Sequence, residues 1–550
     1  MNKALERLKK ATEQISPRDY SLFFVALLLW CVTFYTDTFL FTKDALNMNS
    51  LPVDLDAVNF MHVGSKLIQL AVLFLMLKFV VVAFQKPTLF FSFLFLLVIY
   101  GIGVYLTYPG YFMSDDPIIF AYATRYYPVY WHSYLTSLYY CVALSCIPAS
   151  SGVILFHSII SAMVFAWISD QCTILLPKKA TFLTLLLGLL PFVLLGGLMC
   201  FRPVLYAPIF AFFVATLFFE SVHKPTFTIR KMVLFAFLCS LLALWRSEAI
   251  LLIVFVPILI WMIYNKQTQG FRKKWLMFFV CMLSFFMLLK LPQSAGEKKY
   301  YGSDYLIIST TRPLSVILHR DQTYPGADKD LEAINKVTKL DYITNDSLSC
   351  SAYNRYNSDH NEGKFTQTGA DKDVQSAYLK AAFRLIYHNL DLYFAERLQL
   401  FLITNGFFDY NSSMVLDLKP VVATNFHLYQ SDRDYGFELI DAYRRIPVYG
   451  ETDYANFLFK FGGEAYLLVM AFGFVLFLYS LIRKDWFLSI MLVSIFTREG
   501  IIFLSAPVSF IQYSYPSMYG ILVLVVLQII KSQVLNKTQI MNKKEKRIHT

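Results

Sequence analysis

Charge is scarce in this chain of 550 residues: Asp, Glu, Lys and Arg make up 16% of it, against 57% hydrophobic residues. Soluble domains carry about 25% charged residues, so a string of soluble globular domains is excluded, in line with a mean hydropathy of +0.50. No disulfide framework is indicated. Cys31, Cys141, Cys146, Cys172, Cys200, Cys239 and Cys281 lie within or beside apolar runs, and only Cys350 sits in a long polar region. There is no Walker motif, no G-x-S-x-G elbow and no Cys/His cluster at metal spacing. No segment repeats at a fixed period, and there is no low-complexity tract. The one G-x-G, Gly101-Ile-Gly103, lies inside an apolar run and reads as close helix packing, not as a nucleotide loop. A net charge of +11 invites nucleic acid as a partner. The basic residues, however, are scattered through short loops and a C-terminal tail, where membrane topology accounts for them, so no nucleic acid is implied.

What is present is apolar length. A hydrocarbon core needs about 20 apolar residues per helix. Spans are predicted near 20–42, 62–84, 89–107, 152–174, 181–199, 204–220, 232–245, 249–264, 275–292, 461–482, 487–504 and 517–531, which makes twelve. The segment 132–147 is apolar but short for a span. Charge resolves it. If 132–147 crosses, Lys178–Lys179 and every later basic loop fall outside. If it lies along or re-enters the membrane, the basic loops all fall inside, from Lys86 through Lys224/Arg230/Lys231 and Lys266/Arg272/Lys273/Lys274 to Arg483/Lys484 and the tail. Cytoplasmic loops carry the Lys/Arg excess, so both termini are placed in the cytoplasm and 108–150 outside. The polar N-terminus reads as a lead-in to an uncleaved first span.

The predicted fold is therefore an all-α polytopic membrane protein of about 12 transmembrane helices, with interfacial helices in its first large outer loop. Residues 1–292 form an N-terminal transmembrane module. Residues 293–460 form a small extracytoplasmic domain, with helical spacing in its second half and Leu390–Thr404 placed back on the membrane surface. Residues 461–550 supply the last helices and a basic tail.

The chemistry concentrates in Tyr108–His132, YPGYFMSDDPIIFAYATRYYPVYWH, where Asp115, Asp116, Arg125 and His132 are embedded among aromatics. Ionisable residues at a bilayer boundary are costly and are generally kept for function. Asp116 before Pro117 has the signature of a helix start, which leaves Asp115 outside the helix without a structural task. A carboxylate at such a corner is suited to act as a general base. A divalent cation is the one cofactor the acidic pair leaves open, though adjacent carboxylates alone are thin ligation. Arg125, Arg202 and Arg246 all sit at predicted outer boundaries. They read either as headgroup anchors or as a shared site for an anionic group, since Arg holds phosphate bidentately. His132 opens a short apolar segment and reads equally as an interfacial residue or a ligand contact. Arg246 and Glu248 have each other as the plain structural alternative. Arg498-Glu499 lies deeper in a span, either structural or functional, and His157 and Asp170 are less specific.

Several stretches carry a resemblance: YPGYFMSDD, PVYWHSYLTSLYY, FRPVLYAPIFAFF, LKAAFRLIYHNLDLYFAERL and LSAPVSFIQYSYPSMYG. An early span, an outer loop with acidic residues, paired interfacial helices and many further spans resemble the GT-C membrane glycosyltransferases, and more closely a Gram-positive branch of that superfamily. The resemblance implies a polyprenyl-phosphate-linked sugar as donor and Asp115 as catalytic base. Ile119 stands where the branch often has Gln, and Arg202-Pro203 where it often has Lys-Asp. The positive charge is thus kept, and a second acidic role there is in doubt. The expected function is an inverting sugar transfer to a surface glycan or glycolipid at the outer face of a bacterial cytoplasmic membrane, with membrane lipids around it. A lipid-linked glycan polymerase or ligase is the first alternative and a transporter or flippase the second. The lack of repeated halves speaks against transport.

Overall fold

In a computed structural model, the structure describes residues 17–40, 54–108, 110, 112, 116–149, 151–175, 179–223, 226–300, 304–338, 340, 343, 372–404, 453–506 and 511–548. Among these residues there are helices and turns and no strand. In chain order the helices begin with α1 (Pro17–Leu40), α2 (Leu55–Gln85) and α3 (Pro87–Leu106), then the short α4 (Asp116–Ala123) and α5 (Tyr134–Cys146). They continue with α6 (Gly152–Leu175), α7 (Lys179–Leu189), α8 (Pro191–Gly197), α9 (Arg202–His223) and α10 (Ile229–Trp245). A 3₁₀ turn, Ser247–Ala249, leads into α11 (Leu252–Tyr264), followed by α12 (Phe271–Tyr300). The next four are α13 (Asp304–Ile317), α14 (Ala327–Asn335), α15 (Lys372–His388) and α16 (Leu390–Thr404). The last are α17 (Asp453–Ile482), α18 (Trp486–Ser505) and, after a 3₁₀ turn at Ile511–Ser514, α19 (Tyr515–Ile548).

Ten helical stretches (α1, α2, α3, α6, α9, α11 taken with the 3₁₀ turn before it as Ser247–Tyr264, α12, α17, α18 and α19) are long and apolar enough to cross a membrane. The chain is a multi-pass membrane protein. Two stretches expected as spans differ. The stretch 232–245 is α10, whose 17 residues reach about 26 Å at 1.5 Å each, short of a hydrocarbon core of roughly 30 Å. The stretch 181–199 is divided into α7 and α8 at Leu190, whose extended ψ of 136° precedes Pro191 at the first position of α8. A proline lacks the N–H that would continue the ladder and pushes the preceding residue out of helical conformation.

Helices α6, α9 and α19 are the most enclosed, while α1, α2 and α12 turn most of their apolar side chains outward. The residues after α3 return into this bundle. Helix α5 buries 11 of its 13 residues against neighbouring helices, so it is embedded in protein and does not lie open on a surface. The segment that joins α4 to α5 is held by α12, which runs on past residue 292 without a break. The Gln293 amide donates to the carbonyls of Tyr130 (3.0 Å) and His132 (3.1 Å), and its carbonyl accepts the Tyr134 N–H (2.9 Å). Tyr300, at the end of the same helix, stacks on Tyr130. Beyond α12, helices α13 to α16 bury a second, smaller core around Leu314, Ile334, Tyr378 and Leu385. Trp131 packs against both cores and joins them.

The two glycines of Gly101-Ile-Gly103 separate in the structure. A Cβ at Gly103 would come within 2.9 Å of Leu198, whereas Gly101 meets nothing within 4 Å. Close packing therefore explains Gly103 alone. Gly296 is more constrained, because a Cβ there would lie 2.2 Å from the Tyr130 ring. Gly296→Ala is expected to lower stability by roughly 1–3 kcal/mol through overpacking, read as a lower apparent melting temperature in detergent. Gly101→Ala is expected to be neutral or to stabilise by up to about 1 kcal/mol, the helix-propensity gain.

Candidate functional site

The end of the bundle that carries residues 108–150 also gathers most of its buried charge. Helix α10 stops at Trp245, Arg246 is extended (φ −132°, ψ 121°), and the single 3₁₀ turn that follows swings Glu248 back toward it. The Arg246 Nε and Nη2 both donate to Glu248 Oε1, at 2.8 and 2.6 Å. The same oxygen accepts from Arg498 Nη2 of α18 at 3.0 Å. Arg498 also donates to Ser517 Oγ (3.0 Å), while Glu499 accepts from Ser514 (2.8 Å) and Tyr466 (3.2 Å). The pairing of Arg246 with Glu248 is thus present, within a larger buried network that reaches four further elements.

His132 lies against this network. Its Nδ1 is hydrogen-bonded with the Arg202 guanidinium at the start of α9. Burial, and then the positive charges of Arg202 and Arg246, hold its pKa well below the usual imidazole value. The ring is therefore neutral at neutral pH. A neutral ring that accepts at Nδ1 carries its proton on Nε2. Nearby, Trp245 Nε1 donates to Thr136 Oγ1 at 3.0 Å and fixes the start of α5 against the end of α10. His132, Arg202, Arg246 and Glu248 are thus brought together from three separate parts of the chain.

Asp116 stands at the start of α4, as the helix-start signature requires, and is fully buried. Its carboxylate lies beside the Cys200 thiol and near Tyr140, whose hydroxyl donates to the Cys200 carbonyl at 2.9 Å. Burial and the Asp116 charge push the Cys200 thiol well up, so it stays protonated and is no nucleophile. Arg202 also acts on the Tyr140 hydroxyl, so Asp116 and Arg202 both lie near one phenol. Arg125 differs. It is half-buried in the turn after α4 beside Tyr122, burial lowers its pKa, and among the described residues no contact joins it to His132, Arg202 or Arg246. Asp115 lies outside the described residues. Among those described, no three His, Cys, Asp or Glu side chains gather as a metal site.

Sequence reasoning noticed Arg498-Glu499 but gave them no partner, and it missed Asp37 and Lys66. Asp37 of α1 accepts from Lys66 (2.8 Å), His62 (3.0 Å) and the Tyr126 hydroxyl (2.6 Å), tying α1 and α2 to the turn after α4. The available signal was charge inside an apolar helix, which in a membrane implies an internal partner. Asp170 belongs to the opposite end of the bundle, where it pairs with Lys86 at 2.8 Å, and His157 is enclosed within α6. Comparison of the chain with protein-family models, curated proteins and solved structures returns no match.

Two consequences can be measured on detergent-solubilised protein. Glu248→Ala leaves Arg246 and Arg498 buried without their shared carboxylate, and a loss of about 3–5 kcal/mol is expected. It would appear as a large fall in apparent melting temperature, partly recovered by adding Arg498→Met. The second concerns pH. The folded pKa of His132 lies below the unfolded value near 6.5, so its contribution is complete above that pH and is lost as pH falls toward the folded pKa. The slope for one group is at most about 1.4 kcal/mol per pH unit. His132→Asn should flatten this part of the stability profile between pH 7 and 5, and an unchanged slope would refute the assignment.

Proposed function

We propose that the protein is a membrane glycosyltransferase of the GT-C type, which moves a monosaccharide from a polyprenyl-phosphate donor to a surface glycan or glycolipid. The reaction takes place at the outer face of a bacterial cytoplasmic membrane. The observation that carries this reading is the convergence of His132, Arg202 and Arg246, with Arg202 and the buried Asp116 both acting on the Tyr140 hydroxyl. On this reading both termini are cytoplasmic, the residues 108–150 face outward, and α13 to α16 belong to the extracytoplasmic domain that presents the acceptor.

Asp115 takes the proton from the acceptor hydroxyl as that oxygen attacks the anomeric carbon. The new C–O bond forms on the face opposite the leaving group, the bond from carbon to phosphate oxygen breaks, and polyprenyl phosphate departs as an anion. Arg202 and Arg246 meet the charge that develops on it, with Arg125 as a further guanidinium near the same loop. Electrostatic stabilisation of this kind is strongest where water is excluded, and the setting of buried Arg246 and half-buried Arg202 suits it. Neutral His132 holds the Arg202 guanidinium in orientation without cancelling its charge. Asp116, enclosed at the start of α4, has a structural task there.

The test is a comparison of substitutions in membranes supplied with labelled polyprenyl-phosphate sugar. Asp115→Asn is expected to reduce transfer by about 10²–10⁴-fold, the usual contribution of general-base catalysis, with normal insertion and protein level. Arg202→Gln should weaken donor use as well. Full transfer in Asp115→Asn would overturn the assignment. A mild Asp115→Asn defect beside an inactive Arg202→Gln would favour the polymerase or ligase reading instead.

A further inference from the structure

A second buried cationic centre lies apart from the cluster around Glu248. Arg312 of α13 and Arg397 of α16 share one carboxylate, Glu396. Arg312 Nε donates to Oε1 and Arg397 Nε to Oε2, each at 2.5 Å. Arg397 Nη1 also donates to the Ala506 carbonyl, just past the end of α18, at 2.8 Å. All three side chains are at least nine-tenths buried, with Arg397 at 1% and Glu396 at 2% relative exposure. Among the described residues, two guanidinium charges against one carboxylate leave a surplus of one positive charge. Arg312 Nη1 and Arg397 Nη2 are buried and, among the described residues, have no hydrogen-bond partner.

Both facts are costly unless something offsets them. An uncompensated buried charge is among the most destabilising features a protein can carry, and each buried donor left unpaired adds its own desolvation penalty. An oxyanion answers both at once, because it brings one negative charge and several acceptors of the geometry guanidinium recognises. The position narrows the choice of anion. Arg397 touches the end of a helix long enough to span, and the far side of α16 exposes Leu390, Phe394 and Leu398. The centre therefore lies near the membrane–water boundary, where phosphate is the abundant oxyanion.

We propose that Arg312 and Arg397, poised by Glu396, form a phosphate-binding site at the junction of α13, α16 and the end of α18. The chemistry recognised is a phosphate monoester or diester, carried by a lipid headgroup or by a soluble phosphate compound. This site shares no residue with the cluster of His132, Arg202, Arg246 and Glu248, and its binding needs no turnover.

The experiment uses the full chain purified in a neutral detergent, followed by thermal unfolding. One arm adds inorganic phosphate or glycerol phosphate, and the other adds phosphatidylglycerol to the micelles. The expected result is a saturable rise in apparent melting temperature in at least one arm, lost in Arg312→Lys, which keeps a charge near Glu396 but not the second row of N–H donors. Glu396→Gln should bind the same anion at least about tenfold more tightly, since it removes the competing negative charge. A response to phosphatidylglycerol alone identifies a headgroup site, and a response to both identifies phosphate itself. If wild type responds to neither, or if Arg312→Lys responds as wild type does, the centre is a structural strut and the proposal fails. Should Glu396→Gln not accumulate, the wild-type and Arg312→Lys titrations decide the matter alone.

Discussion

The Glu248 carboxylate is the constraint on which this end of the bundle depends. It receives Arg246 from its own turn and Arg498 from a helix 250 residues later in the chain. Inside a membrane protein a charge has no water to turn to, so each guanidinium in the helical core needs an acceptor supplied by the protein itself. Burying such a set brings little net stability, because desolvation offsets much of the attraction. It does bring specificity. A one-turn shift of α18 would take Arg498 from Glu248 and Glu499 from Ser514 and Tyr466, so α18 is fixed in register against its neighbours by chemistry as well as by shape.

Hydrophobic packing then works on a frame that the polar contacts have set. The segment 126–134 has almost no regular structure of its own, yet it is enclosed and immobilised. Gln293 answers three of its backbone groups, Asp37 answers the Tyr126 hydroxyl, and Trp131 is wedged between the two cores. Buried irregular backbone is tolerated only where its N–H and C=O groups find partners in the protein. A single glutamine on the extended end of α12 meets much of that requirement, and it can do so because α12 continues as a helix to Tyr300, past the expected boundary near residue 292.

The parts of this architecture legible in the sequence are those written in local composition. Apolar length located the ten stretches long and apolar enough to span, along with two more expected as spans, and the Asp116-Pro117 pair located the start of α4. The short segment 132–147 was recognised as something other than an ordinary span. Its enclosure was not legible, since burial of α5 depends on which helices pack around it, and an apolar 13-residue helix has the same sequence whether lipid or protein covers it. Pro191 did announce a break, but a continuous apolar run concealed it. Long-range polar pairing was the least accessible. Nothing local in the neighbourhood of Arg498 names Glu248, and nothing near Arg312 names Glu396, because a salt bridge between distant helices is a property of the packing. The grouping of His132 with Arg202 and Arg246 was anticipated only as a set of residues on one face. Arg125 shares that face by sequence, yet its turn directs it toward Tyr122.

His132 shows why the kind of partner matters as much as its presence. A carboxylate beside Arg202 would orient the guanidinium and at the same time neutralise it. An imidazole kept neutral by burial and by two nearby arginines orients it through a hydrogen bond and leaves its charge in place. The arrangement is self-consistent: the positive field that a bound anion would feel is also what keeps the imidazole uncharged, so that it remains an acceptor at Nδ1. Protonation would convert that acceptor into a donor facing another donor, and the contact would turn repulsive. The arginine and the histidine therefore hold each other in the states in which both are useful, and the surrounding burial makes that mutual dependence strong.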